Sequence, residues 1–203
     1  MGEMTRMVLF TETNSVFGSY FLTRLARHDD VILAAVVLRE PGTLCDYYLD
    51  EPEPLDLAKD AAELDVHTLR PAHINTDEFI TAIGGLAPDY FIVANYQLRL
   101  GQRLLAVPSY DALNFHPSPL PRYAGLAPFY WMAENHETQG GVSAVRTTAG
   151  LDEGPSSPSN SSRSPGERRP GRSGTCTSPR PGACSIWCCR HYWTGPTGPG
   201  IKT

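Results

Sequence analysis

No apolar run in the 203 residues approaches the length of a membrane span, so no segment reads as a transmembrane helix. The start, Met-Gly-Glu-Met-Thr-Arg, has no apolar core of the kind a secretory signal carries. A cytoplasmic location is the default expectation. The first strand-to-helix turn, Thr13-Asn14-Ser15-Val16-Phe17-Gly18, holds one glycine and lacks the G-x-G-x-x-G fingerprint. A nicotinamide-type cofactor is therefore not expected. Positive charge is scarce through residue 155, with 10 Lys/Arg against 21 Asp/Glu, a formal charge of −11. Such a body repels a phosphate backbone unless a basic patch compensates.

The remainder differs in kind. Residues 156–203 hold 7 Lys/Arg and one Glu, a formal charge of +6, and four of the five cysteines. They are dense in Ser, Pro, Gly and Arg and show neither a 3.6 nor a 2.0 period. That is the composition of a disordered, low-complexity tail. Cys176, Cys184, Cys188, Cys189 and His191 lie there without a C-x2-C pair. Structural zinc sites favour ligands two to four apart, so no metal is expected. The change of composition after Pro155 reads as translation out of frame in a GC-rich gene.

Residues 1–155 read as one α/β domain. Residues 7–12 form an apolar strand, and a helix follows over about 15–27, with Phe17, Phe21 and Leu25 on one face. Val31-Ile-Leu-Ala-Ala-Val-Val-Leu38 is the unbroken apolar pattern of a central parallel strand. Strand, helix and strand in that order make a βαβ unit. Residues 39–54 form an acidic, proline-rich loop; a helix over about 55–64 and a short strand at 66–69 follow. Asn75 reads as an N-cap with Glu78 three residues on, opening a helix that turns Phe79, Ile80, Ile83 and Leu86 inward. Residues 89–94 are a further buried strand ending at Asn95-Tyr96-Gln97, where open α/β sheets bind ligands. A short helix at about 101–106 leads to a strand at 111–116. Leu126–His136 reads as a helix giving Phe129, Trp131 and Met132 to the core. Gly141–Thr148 alternates as a half-buried strand with Val142 and Ala144 on one side. Residues 149–155 form an acidic turn.

Chemistry concentrates at Asn114-Phe-His116-Pro-Ser-Pro-Leu-Pro121-Arg-Tyr-Ala-Gly125. Asn114 and His116 are two apart on a strand and so share a face. Prolines stiffen the loop behind them. An Asn-x-His pair alone is more often structural than catalytic, and Asp152 alone is ordinary turn chemistry. Arg122 and Tyr123 fit substrate contact and solvated loop positions equally. His28, His67, His73 and His136 have no paired spacing and read as surface or loop residues.

Together with the run from Asn135-His-Glu-Thr-Gln-Gly-Gly-Val to Gly150-Leu-Asp152-Glu-Gly154, this stretch resembles the 10-formyltetrahydrofolate-dependent formyltransferases. That family includes enzymes acting on methionyl-tRNA, on glycinamide ribonucleotide and on nucleotide-linked amino sugars. The likeness runs over residues 7–155. It implies a Rossmann-like, open, mostly parallel sheet with helices on both faces, here truncated at its C-terminal end. It also implies 10-formyltetrahydrofolate as co-substrate and formyl transfer to an amine. Asn114 and His116 are then donors to the tetrahedral oxyanion, and Asp152 orients His116 and helps move the proton. Histidine suits that task because its unperturbed pKa lies near working pH. The resemblance sets the pterin ring against main chain at Val93, Ala94, Asn95 and Tyr96, near Leu113; Arg122 and Tyr123 stand as the candidate substrate contacts. Members acting on tRNA carry a basic insertion where 39–54 is acidic, and a second domain. The loop Leu-Pro-Arg-Tyr-Ala-Gly-Leu-Ala-Pro-Phe-Tyr-Trp looks closer to the amino-sugar enzymes. The expected acceptor is therefore a small amine, foremost a dTDP-type 4-amino-4,6-dideoxy sugar, with methionyl-tRNA second. Amino-sugar members are often homodimers through C-terminal elements, so a homodimer is a further expectation. The tail brings in a different class, an inactive remnant that keeps the motifs but not the scaffold behind Asp152.

Overall fold

The computed structural model describes residues 4–45 and 55–147. Strand β1 (Thr5–Phe10), helix α1 (Val16–Ala26) and strand β2 (Val31–Val37) form the expected βαβ unit. Then come α2 (Leu57–Glu63), β3 (Thr68–Leu69), α3 (Asp77–Gly84), β4 (Tyr90–Val93), α4 (Gln102–Leu105), β5 (Asp111–His116), α5 (Pro128–Glu134) and β6 (Ser143–Arg146). The sheet runs β3-β2-β1-β4-β5-β6, parallel throughout except for β6, which pairs antiparallel with β5. The chain moves outward from β1 to β2 and β3, then returns to lay β4 on the other side of β1. The gap between the C-terminal ends of β1 and β4 is thus the topological switch point, where such sheets open a ligand crevice.

Both faces of the central strands are covered, as their unbroken apolar sequences require. On one face Val8, Phe10, Ala35, Val37, Phe91, Val93 and Ala112 pack with Phe79 and Ile83 of α3 and Leu104 of α4. On the other, Phe21 of α1 meets Phe115 at a centroid distance of 4.8 Å. Phe10 is fully buried and stacks edge-on against Phe91 at 4.9 Å. The βαβ order agrees with the sequence reading, as do the inward Phe79, Ile80 and Ile83 of α3, while Leu86 packs on the same core from just beyond the end of the helix.

Three local expectations are corrected. The cap of α3 is Thr76, whose hydroxyl accepts the Phe79 N–H at 3.3 Å. Asn75 is drawn elsewhere: its Oδ1 accepts the Gly101 N–H at 2.7 Å and its amide donates to the Arg99 carbonyl at 2.9 Å. Trp131 is 52% exposed, because α5 is short and turns Pro128 and Met132 inward instead. In β6 the inward side belongs to Ser143 and Val145, while Val142 and Ala144 face outward. A tether at Ser143, described below, sets that register. Asp152, the turn at 149–155, residues 46–54 of the acidic loop and the whole of 156–203 lie outside the described residues.

Candidate active site

The C-terminal ends of β1 and β4 are joined by polar side chains rather than apolar ones. Just past β1, Glu12 is fully buried. Its Oε1 accepts the Gln97 N–H at 2.9 Å and lies 3.6 Å from the Arg39 guanidinium. Burial raises the Glu12 pKa, opposed by the Gln97 N–H and by Arg39. Its Oε2 has no hydrogen-bond partner among the described residues, and neither has the buried hydroxyl of Tyr96. Burial, and then the Glu12 carboxylate, push the Tyr96 phenol upward. Asn14 treats Cys45 as a strand neighbour would: Oδ1 accepts its N–H at 2.8 Å and Nδ2 donates to its carbonyl at 3.0 Å. Ser15 caps α1 by accepting the Gly18 N–H at 2.9 Å. The same hydroxyl accepts from Asn95 Nδ2 at 3.1 Å, tying the helix to the end of β4.

The segment expected against the pterin ring is therefore partly committed. Val93 and Ala94 are buried. The Ala94 N–H donates to the Phe10 carbonyl, and the Asn95 carbonyl accepts the Glu12 N–H, both at 3.0 Å. Asn95 adopts φ +57°, a left-handed conformation that Asn tolerates better than most residues. The ring of Tyr96 packs on Phe10 at 5.5 Å.

Next to this crevice, β5 presents Asn114 and His116 at its own C-terminal end. Asn114 is paired in register with Val93, so both are on the face covered by α3 and α4. His116 is on that face too, two residues on, and both side chains are half-buried. Leu113 alternates to the α1 face, so its side chain points away from the pair.

The proline-rich loop folds back on His116. His116 Nε2 lies 2.8 Å from the Tyr123 carbonyl. A carbonyl only accepts, so Nε2 carries a proton. Ser118 is fully buried, and the carbonyls of Arg122 and Tyr123, at 2.9 and 3.1 Å, share its single hydroxyl hydrogen. The loop is tethered to β6 by Ser143, whose hydroxyl donates to the Ser118 carbonyl at 2.8 Å and accepts the Leu120 N–H at 3.0 Å. The Leu120–Pro121 peptide is cis and Tyr123 has φ +58°. Arg122 and Tyr123, expected as substrate contacts, both bind Glu137: Arg122 by an ion pair and the Tyr123 hydroxyl at 2.6 Å.

The structure thus brings Val93, Ala94, Asn95, Tyr96, Asn114 and His116 to one edge of the sheet, with Arg122 and Tyr123 in the adjoining loop. Reasoning from sequence missed Glu12, Ser118 and Glu137. Glu12 carried a signal, an acid at the end of an otherwise apolar strand. Ser118 and Glu137 carried none, since their roles depend on contacts across a folded loop. Among the described residues there is no group of three or more His, Cys, Asp or Glu able to hold a metal, and no helix is long and apolar enough to cross a membrane.

Residues 5–157 match the family model described as formyl transferase. A methionyl-tRNA formyltransferase of Geobacter sulfurreducens is 40% identical over 94 residues, covering 46% of this chain and 30% of that protein. One of Geobacter metallireducens is 37% identical over 138 residues, covering 68% of this chain and 43% of that protein. The chain thus spans less than half the length of these relatives. In fold it is similar to glycinamide ribonucleotide transformylase 1 of Symbiobacterium toebii, with a TM-score of 0.54 at 22% identity over 76% of this chain and 71% of that one. A formyltetrahydrofolate deformylase of Pseudomonas syringae pv. tomato gives 0.55 at 20% identity over 76% and 49%.

Proposed function

The chain belongs to the formyl transferase family, and on that premise we propose that it moves a formyl group from 10-formyltetrahydrofolate to a primary amine. The observation that carries this reading is the pair Asn114 and His116, side by side at the end of β5 and next to the switch-point crevice. The acceptor amine attacks the formyl carbon, a C–N bond forms and an oxyanion develops. Asn114 donates its amide hydrogen to that oxyanion, with His116 beside it. The bond to the folate nitrogen then breaks, and the proton released by the amine passes to that nitrogen. Asp152 is assigned a share in moving that proton, together with His116. A preorganised oxyanion donor of this kind contributes about 3 kcal/mol. The buried ends of β1 and β4 supply the walls for the pterin ring.

Two acceptors have support of different kinds. Likeness to the methionyl-tRNA formyltransferases of two Geobacter species supports methionyl-tRNA. The formal charge of −11 over residues 1–155 supports a small amine such as a sugar nucleotide, because an acidic body disfavours a long polyanion. The test is folate release by the purified chain with 10-formyltetrahydrofolate and, separately, charged tRNA and a panel of amino-sugar nucleotides. Release with tRNA alone selects the first acceptor, and release with a sugar nucleotide alone the second. No release with any acceptor, alongside turnover by a version whose reading frame is corrected after Pro155, selects the inactive remnant.

A further inference from the structure

Tyr123 poses a physical question that formyl transfer alone does not answer. A bulky aromatic residue sits in the left-handed region at φ +58°, a conformation that L side chains disfavour. Strain of this kind persists where surrounding contacts over-determine it, and it collects at functional sites. Here the contacts are visible. The Tyr123 hydroxyl donates to Glu137 Oε1 at 2.6 Å, Arg122 pairs with the same oxygen, and the Arg122 guanidinium lies 5.3 Å from the Tyr123 ring centroid. The conformation turns the Tyr123 carbonyl back toward β5, where it receives both the Ser118 hydroxyl and His116 Nε2.

We propose that Glu137 is a positioning residue for His116, holding Tyr123 so that its carbonyl fixes the imidazole as the Nε2–H tautomer and leaves Nδ1 as the working nitrogen. This rests on the reading of His116 as part of the reacting pair. Neutral imidazole has one donor and one acceptor nitrogen. With Nε2–H given to the carbonyl, the acceptor is Nδ1. Nδ1 then takes the proton from the attacking amine as the new C–N bond forms. The resulting imidazolium returns that proton from Nδ1 to the folate nitrogen as its bond to the formyl carbon breaks. The amine has lost one proton, the folate nitrogen has gained one, and His116 ends as it began. A loop that let the ring flip would present a donor where this sequence needs an acceptor. Ser143, which ties the other end of the loop to β6, and Glu137, which grips its tip, act on the same short segment from opposite sides.

The experiment is a long-range proton–nitrogen correlation on the full chain, uniformly 15N-labelled, at a pH where the histidines are neutral. The His116 signal is identified by its loss in His116→Asn. The expected result is a predominant Nε2–H pattern in the wild type and a mixture of both tautomers in Glu137→Ala and in Tyr123→Phe. Glu137→Gln keeps an acceptor for the Tyr123 hydroxyl and is expected to retain the wild-type pattern. Tyr123→Phe keeps the ring and its packing, so it serves if Glu137→Ala does not fold. In steady-state kinetics, kcat should fall about 10- to 100-fold in Tyr123→Phe and Glu137→Ala with KM for the amine little changed. An Nδ1–H pattern in the wild type, or an unchanged Nε2–H pattern in both Glu137→Ala and Tyr123→Phe, overturns the proposal. Absence of turnover in every form overturns formyl transfer by this chain instead, and the tautomer measurement still decides the role of Glu137.

Discussion

Replacing Gly18 by alanine sets two general effects against each other. Inside a helix, Gly→Ala normally stabilises by about 0.5–1 kcal/mol, through lower backbone entropy in the unfolded chain. Gly18 lies in the first turn of α1, however, where the helix crosses the end of β1 at very close range. A Cβ at this position meets Thr11 Oγ1 at 1.9 Å and Thr11 Cβ at 2.9 Å. Non-bonded heavy atoms settle near 3.5 Å, so the pair must separate by roughly 1.6 Å. Thr11 cannot supply that movement. It is fully buried, its N–H is bound to the Val37 carbonyl at 3.1 Å, and a β-branched side chain has little freedom at χ1. The helix must therefore retreat, against the bond between Ser15 Oγ and Asn95 that ties it to the crevice. A contact this close belongs at the upper end of the about 1–3 kcal/mol that overpacking costs, which outweighs the propensity gain and leaves a net loss of about 2–2.5 kcal/mol. Urea denaturation should show a lower midpoint at unchanged slope. Gly84 is the control: a Cβ there meets only Val107, at 3.9 Å, so Gly84→Ala should be neutral or stabilising. Adding Thr11→Ala to Gly18→Ala removes the 1.9 Å contact but leaves the Cβ of residue 11 at 2.9 Å, and so should recover part of the loss. A Gly18→Ala protein as stable as the parent would refute the packing argument.

Other outcomes follow from the same contacts. Glu12→Gln should change how stability depends on pH. Burial raises the Glu12 pKa above its ordinary value near 4.5, so between those two values the folded state holds the extra proton. Glu12 therefore makes stability fall as pH rises across that window. The wild-type midpoint relative to that of Glu12→Gln should drop from about pH 4.5 upward; a constant difference would contradict the burial argument. Asn14→Ala removes both hydrogen bonds to the buried main chain of Cys45 and should cost about 2–4 kcal/mol in urea unfolding. Asn114→Ala should lower kcat by about 10²–10³ with little effect on stability, measured as folate release beside a thermal melt. Parental turnover in that variant would remove Asn114 from the oxyanion site.

The sheet was legible because its strands obey local rules. Val31–Val37 is apolar at every position and is covered on both faces, and Phe79 and Ile83 recur at the helical spacing that buries them. Local pattern failed where a side chain had a remote partner. Asn75 fits a capping box, but the Gly101 N–H and the Arg99 carbonyl claim it, and Thr76 takes the cap. Trp131 was expected in the core on hydrophobicity alone, yet a helix of seven residues buries only a narrow stripe.

β6 shows why the candidate site was only half readable. Hydrophobicity sets Val142 and Ala144 on one face against Val145 on the other and decides little, but a strand has period 2, so a single inward residue can fix the whole face. That residue is Ser143, whose hydroxyl satisfies both the Ser118 carbonyl and the Leu120 N–H. Buried main-chain groups left unpaired cost about 1–3 kcal/mol each. That is comparable with the burial of one aliphatic side chain, at about 1.5–3 kcal/mol, so the loop can set the register of the strand. The Asn114 and His116 pair could be found from sequence because it obeys the strand period. The residues that hold His116 could not, because they break that period or lie beyond it. Conflict between local preference and observed structure therefore marks the support of the site, where a loop's hydrogen bonds outweigh side-chain hydrophobicity.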